Sequence, residues 1–270
     1  MKLVTIGDVL LDVIMRLGEV LEDGADASAK TITSAGGQAG NVAAWAVALG
    51  AEARCVSKRG DDPAGRIVTA ELERRGVELA GPVQGRNGVV VSLVAADGER
   101  TMASDRGVAP QLSPEDLDPE WFACDRLHIS GYALLAAPID AAAQRAAALA
   151  REHDAQISVD LSAWTRIREH GPQRFREQLE GLAPDVIFAN EPEWEIVGAA
   201  YGLARTAVVK RGARGATVLG EARADLPPTT GPVVDATGAG DALAAGFLVG
   251  GPELAADAAA RCVAKLGALP

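Results

Sequence analysis

Val233-Val-Asp-Ala-Thr-Gly-Ala-Gly-Asp-Ala-Leu-Ala-Ala-Gly-Phe247 carries the reading of this chain. Val233 and Val234 predict the end of a strand, Thr237-Gly-Ala-Gly240 a turn without bulky side chains, and the run from Asp241 an amphipathic helix. The first N–H groups of a helix have no carbonyl one turn back to bond, so they converge on whatever lies before the helix. With Gly238, Ala239 and Gly240 at that place, an anion can approach the backbone itself, and Asp241 stands beside the cradle. A plain tight turn, with Asp241 balancing the helix dipole, is the alternative for the stretch taken alone.

Working outward, short apolar runs alternate with helical segments, the rhythm of a mainly parallel sheet covered on both faces. Strands are predicted at Leu3–Ile6, Ala53–Ser57, Arg126–Ser130, Gln156–Asp160, Asp185–Ala189, Thr206–Lys210 and Ala216–Leu219. Helices are predicted at Gly37–Leu49, Pro63–Arg75, Pro138–His153, Ala239–Val249 and Pro252–Leu266, with Pro63 suited to a first turn and Gly50 and Gly76 to caps. Two regions break the rhythm: Val13–Thr33, and Gly88–Ser104, which reads as a hairpin turning at Asp97-Gly98.

The net charge of −11 argues against nucleic acid or an anionic membrane as partner, because an acidic surface repels phosphate polymers. Cys55, Cys124 and Cys262 lack metal-site spacing and read as buried reduced thiols. The start, Met1-Lys-Leu-Val-Thr-Ile-Gly-Asp8, goes straight into a strand pattern, and no apolar run reaches the ~18 residues of a spanning helix, so a cytoplasmic protein is expected.

A second glycine cluster, Ala35-Gly-Gly-Gln-Ala-Gly-Asn41, opens a helix some 200 residues earlier. Its spacing is neither that of a Walker loop nor of a dinucleotide fingerprint. Its glycines permit close approach of a ligand, and Asn41 offers a donor and an acceptor to a polyol. A cradle, a carboxylate and a polyol contact are what phosphoryl transfer to a hydroxyl needs: positioning, stabilisation of spreading charge, and a base.

With both motifs in this order, and Asn190-Glu-Pro-Glu193 between them, the chain is similar to the ribokinase-like, or PfkB, carbohydrate kinase family along its whole length. The resemblance implies an α/β fold: an open, mostly parallel sheet sandwiched by helices, one domain over 1–270, with a small β-strand lid from about 12–34 and 86–106. It implies ATP-dependent phosphoryl transfer to a hydroxyl of a small sugar or sugar acid. Asp241 would be the base, and Gly238, Ala239 and Gly240 the anion hole. Asp12, Gly36, Gly37 and Asn41 would bind the sugar. Asn190, Glu193, Lys210, Gly212 and Gly215 would lie on the nucleotide side. Glu193 would reach Mg2+ through water, and Asp235 and Thr237 would lie near K+. Gln38 stands where ribokinases often carry Lys, and Ala236 where a hydroxyl residue is frequent.

Arg100 and Arg106 flank the predicted lid and could meet substrate or stay solvated. His128, His153 and His170 read as structural or surface groups, Trp164 as core, and Asn190 with Glu193 alternatively as a helix cap with a surface carboxylate. Few aromatic residues lie near the lid, which favours a sugar over a stacked nucleobase. An adenosine or pseudouridine kinase, and a non-catalytic sugar or nucleotide sensor, are the alternatives. By resemblance, a homodimer through the lid strands is expected.

Overall fold

The computed structural model describes residues 1–94, 100–199, 202–220, 223–228 and 231–270, with Arg100 described by its backbone alone. In chain order the elements are β1 (Lys2–Ile6), β2 (Leu10–Leu17), β3 (Ala29–Gly36), α1 (Gln38–Ala48), β4 (Glu52–Val56), α2 (Pro63–Arg74), β5 (Glu78–Ala80), β6 (Asn87–Val94), β7 (Arg100–Gly107), β8 (Arg126–Ser130), α3 (Ile139–Arg151), β9 (Gln156–Asp160), α4 (Trp164–His170), α5 (Pro172–Leu182), β10 (Val186–Asn190), α6 (Glu191–Ile196), β11 (Thr206–Lys210), β12 (Ala216–Leu219), β13 (Ala224–Leu226), α7 (Ala239–Gly250) and α8 (Pro252–Val263).

The large sheet has the order β13-β12-β11-β10-β9-β8-β1-β4-β5, parallel from β11 to β5, with β12 and β13 antiparallel at one edge. The chain leaves β1 toward β4 and β5 on one side, then returns through β8 on the other. β1 and β8 therefore border a topological switch point, and a crevice belongs at their C-terminal ends.

Residues along one strand alternate between two cores. In β10, Ile187 and Ala189 join the core under α3 and α5, whereas Val186 and Phe188 join the one built with α1, α7 and α8. Alanine-rich helices let the layers approach closely, and Trp45, Phe122, Phe175 and Phe188 supply the large volumes. α2 starts as its sequence suggests, with Pro63 in the first turn and Asp62 accepting the Gly65 N–H at 2.9 Å.

The regions outside the βα rhythm form a second sheet, β3-β2-β6-β7, in which β2 and β6 run parallel and the outer pairs antiparallel. The Asp97-Gly98 turn lies outside the described residues.

Three local expectations need correction. Val233 and Val234 are not a strand: they are 64% and 54% exposed, and the Val234 N–H bonds the Val263 carbonyl at 2.7 Å at the end of α8, not a neighbouring strand. α8 stops at Val263, short of Leu266, and the chain then turns so that Gly267 can donate to Asp235. Trp164 is 39% exposed, with the Arg168 guanidinium 5.0 Å from its ring centroid, and is no core residue. Among the described residues, no helix is long and apolar enough to cross a membrane.

Candidate active site

A cavity of about 900 Å³ opens between the four-stranded sheet and the C-terminal ends of the large sheet. Asp12 reaches it from β2, Gly37 and Asn41 from the start of α1, and Gly238 and Asp241 from the start of α7. The two glycine clusters thus meet, although 200 residues separate Asn41 from Asp241.

The contact is direct. Asn41 Nδ2 donates to Asp241 Oδ2 at 2.8 Å, while Asn41 Oδ1 is buried without a protein partner. An orphaned buried acceptor costs about 1–3 kcal/mol, and on a cavity wall a ligand hydroxyl removes that cost. Asp241 opens in part onto the cavity, yet enclosure by protein pushes its carboxyl up to about 7, with the Asp160 and Asp12 charges acting in the same direction and the Asn41 bond and the Lys210 cation opposing.

The glycines are there for space. A Cβ on Gly36 would lie 2.2 Å from Asp12 Oδ2, and one on Gly238, at φ +75°, would lie 2.5 Å from the Cβ of Ala268. Ala239 sends its N–H to the Ala236 carbonyl at 3.3 Å, whereas Gly240 sits in the first turn of α7, where amides lack intrahelical partners.

The residues expected on the nucleotide side fall into two groups. Asn190 caps α6 by accepting the Glu193 N–H at 2.9 Å, and the Glu193 oxygens accept from the Asn190 N–H and Nδ2, each at 2.8 Å. The cap reading therefore holds, but the carboxylate is buried at 1% exposure and not on the surface, and burial raises its pKa against the opposing Lys210 cation. Lys210 ends β11 and donates to Asp160 Oδ2 at 2.6 Å; a Cβ on Gly240 would lie 3.2 Å from its Nζ. Gly212 and Gly215 shape the turn from β11 to β12, closed by Arg211 N–H to the Gly215 carbonyl at 2.7 Å, away from the cavity wall.

Asp235 Oδ1 accepts from the Thr237 N–H at 2.9 Å and its hydroxyl at 2.5 Å, and Oδ2 accepts from the Gly267 N–H at 3.0 Å. The Thr237 carbonyl receives the Cys262 thiol at 3.3 Å. These bonds tie the turn before α7 to the end of α8 through the Asp235 carboxylate and the Thr237 carbonyl. Cys55, Cys124 and Cys262 are free and buried.

Several cavity residues were not singled out from sequence. Asp8, 3% exposed, receives a two-pronged ion pair from Arg106, with Nε at 2.6 Å and Nη2 at 2.9 Å. Arg106 also donates to the Tyr132 carbonyl at 3.0 Å, so it is anchored and not solvated; of the arginine pair flanking the lid, it is the one whose side chain the structure describes. His170 lines the cavity edge and pairs with Gln178 at 3.0 Å, whereas His128 is fully buried against Ser158. Asp8 follows β1 and Asp160 ends β9, and a charged residue at the C-terminal end of a parallel strand was the available signal for both.

The comparisons with known proteins agree with this geometry. The family described as pfkB family carbohydrate kinase matches residues 1–269. An ATP-dependent ribose-1-phosphate kinase from Halopiger xanaduensis is 32% identical over 262 residues, covering 92% of this chain and 83% of its own. The crystal structure of an adenosine kinase from Sinorhizobium meliloti superposes with a TM-score of 0.88 at 25% identity, over 100% of this chain and 95% of the other. A protein from E. coli provisionally assigned as ribokinase II, solved with ATP and Mg2+, gives 0.83 at 22% identity, over 99% and 94%. The chain belongs to the pfkB family of carbohydrate kinases and has the ribokinase-like α/β fold; it is a kinase of the sugar and nucleoside class.

Proposed function

We propose that this enzyme transfers the terminal phosphoryl group of ATP to a hydroxyl of a small sugar, with Asp241 as general base. The observation that carries the reading is the Asn41–Asp241 bond at the floor of a polar cavity. Asn41 orients the carboxylate and leaves its own Oδ1 to receive a sugar hydroxyl, while Asp12 supplies a further acceptor beside Gly36. A wall rich in acceptors suits a polyol, whose hydroxyls are donors.

Asp241 takes the proton of the acceptor hydroxyl. The oxygen attacks the terminal phosphorus, the bond from phosphorus to the bridging oxygen breaks, and ADP leaves. The main-chain amides at Gly238 and Gly240, with the Lys210 ammonium, face the charge that spreads over the transferring group. Each Glu193 oxygen accepts one hydrogen bond and keeps a lone pair, which fits a magnesium ion held through its water shell; bound there, the ion would neutralise phosphate charge. The four-stranded sheet serves as a lid that excludes water, and its edge strands β3 and β7, with Ile32 46% exposed, are the surface for a homodimer.

A sugar phosphate is the second reading for the acceptor. Arg106, Arg166 and His170 line the cavity, and a relative at 32% identity is a ribose-1-phosphate kinase. A nucleoside is disfavoured because, among the described wall residues, Tyr132 is the one Phe, Tyr or Trp, and Arg106 covers its ring at 5.7 Å. ADP-release assays over sugars, sugar acids, sugar 1-phosphates and nucleosides, with and without potassium, test the proposal. Turnover on a sugar or its phosphate is the expected result. Acceptor binding without ADP formation would mark a sensor instead.

A further inference from the structure

β9, β10 and β11 lie side by side, and their C-terminal ends carry Asp160, Asn190 and Lys210. Lys210 reaches past the middle strand to Asp160, whose carboxylate is 1% exposed. Asp160 is fixed at both oxygens, since Oδ1 accepts the Ser162 N–H at 3.3 Å while Oδ2 takes the lysine at 2.6 Å. Ser162 makes this possible by adopting φ +75°, a left-handed conformation that a side chain disfavours, with its hydroxyl on the Asp160 carbonyl at 2.9 Å.

The consequence is a largely covered ammonium held at the edge of the anion cradle, 3.2 Å from where a Cβ of Gly240 would stand. Asp160 uses one of the three donors that a lysine ammonium carries. Glu193 from α6 and Asp241 from α7 face the same cation. Two donors of the ammonium stay available beside Gly240, and its charge offsets part of the surrounding carboxylate charge where an incoming polyanion would approach.

Resting on the kinase reading of the cradle, we propose that Asp160 is a positioning residue that holds Lys210 against Gly240 to meet the terminal phosphoryl oxygens of a nucleoside triphosphate. Lys210 thereby separates triphosphate from diphosphate, and Asp160 acts through it.

Calorimetric titration of the whole enzyme with Mg-ATP and Mg-ADP tests this without requiring turnover. Asp160→Asn and Lys210→Met should each weaken ATP about tenfold, as loss of a charge-assisted contact does, and leave ADP within about twofold. The double variant, which removes the Asp160–Lys210 pair together, should lose no more ATP affinity than Lys210→Met alone, because Asp160 acts only through the lysine. Equal losses for ATP and ADP, multiplying losses in the double variant, or failure of the unaltered enzyme to bind ATP would each overturn the proposal. An enzyme that binds ATP but phosphorylates nothing would sink the kinase reading alone, and the ATP-to-ADP ratio would still decide the role of Asp160.

Discussion

Asn41 Nδ2 and Asp241 Oδ2 stand 2.8 Å apart and join the start of α1 to the start of α7. Through this bond the amide orients the carboxylate that faces the cavity. Asp241→Asn keeps the shape and removes the proposed base. Phosphoryl transfer should fall by about 10²–10⁴-fold, the usual contribution of a general base, while ATP still binds. Near-normal steady-state turnover by this variant would remove Asp241 from its role.

With the Asp241 carboxyl pushed up to about 7, the fraction of active base grows across neutrality, so kcat/KM should rise with pH and level off above about 8. The Asn41 hydrogen bond lowers that pKa. Asn41→Ala should therefore move the rising limb to higher pH as well as weaken the acceptor, a combination that a simple loss of sugar contact does not produce.

The same shift has a stability consequence with a definite sign. Between the ordinary carboxyl value of 3.8 and about 7, the folded enzyme binds a proton at Asp241 that the unfolded chain does not. This contribution to stability is therefore lost as pH rises through that window. Asp241→Asn should lie closer to, or above, the parent in melting temperature at pH 8 than at pH 4. A constant difference across pH would count against the raised carboxyl.

Asp8 is buried and relies on Arg106 for its charge partner. Arg106→Met leaves that carboxylate unpaired and should cost about 3 kcal/mol in urea unfolding. Asp8→Asn combined with Arg106→Met should recover much of the loss, and only the acceptor KM should then remain altered.

Gly238→Ala forces a side chain into a left-handed conformation and against Ala268. A loss of about 1–3 kcal/mol is expected from overpacking, with activity falling further because the cradle shifts. Gly240→Ala meets only the end of the Lys210 side chain, at 3.2 Å, and should fold normally while turnover drops.

Most strands and helices of the large sheet were legible because each carries a local signal: buried, mainly apolar runs such as Leu3–Ile6, a proline in the first turn at Pro63, a glycine after the helix at Gly50. Asp241, Asn41 and the glycines beside them could be singled out because a glycine cluster opening a helix offers backbone amides to an anion, and the two clusters do meet at one cavity. Val233-Val234 misled because β-branched residues mark extended backbone, and only the neighbour, here the end of α8, decides whether that backbone enters a sheet. Asp8 and Asp160 went unnamed for a related reason. Their partners lie 98 and 50 residues away, and a place at the end of a parallel strand was the one local signal for them.

Cys262 lies against the Thr237 and Ala268 carbonyls, and burial pushes its thiol up to about 12. Thiolate chemistry needs both ionisation and access, and this sulfur has neither in the native state. The enzyme should withstand maleimides and mild peroxide, and alkylation of Cys262 would then clock the opening of α8 away from the cradle.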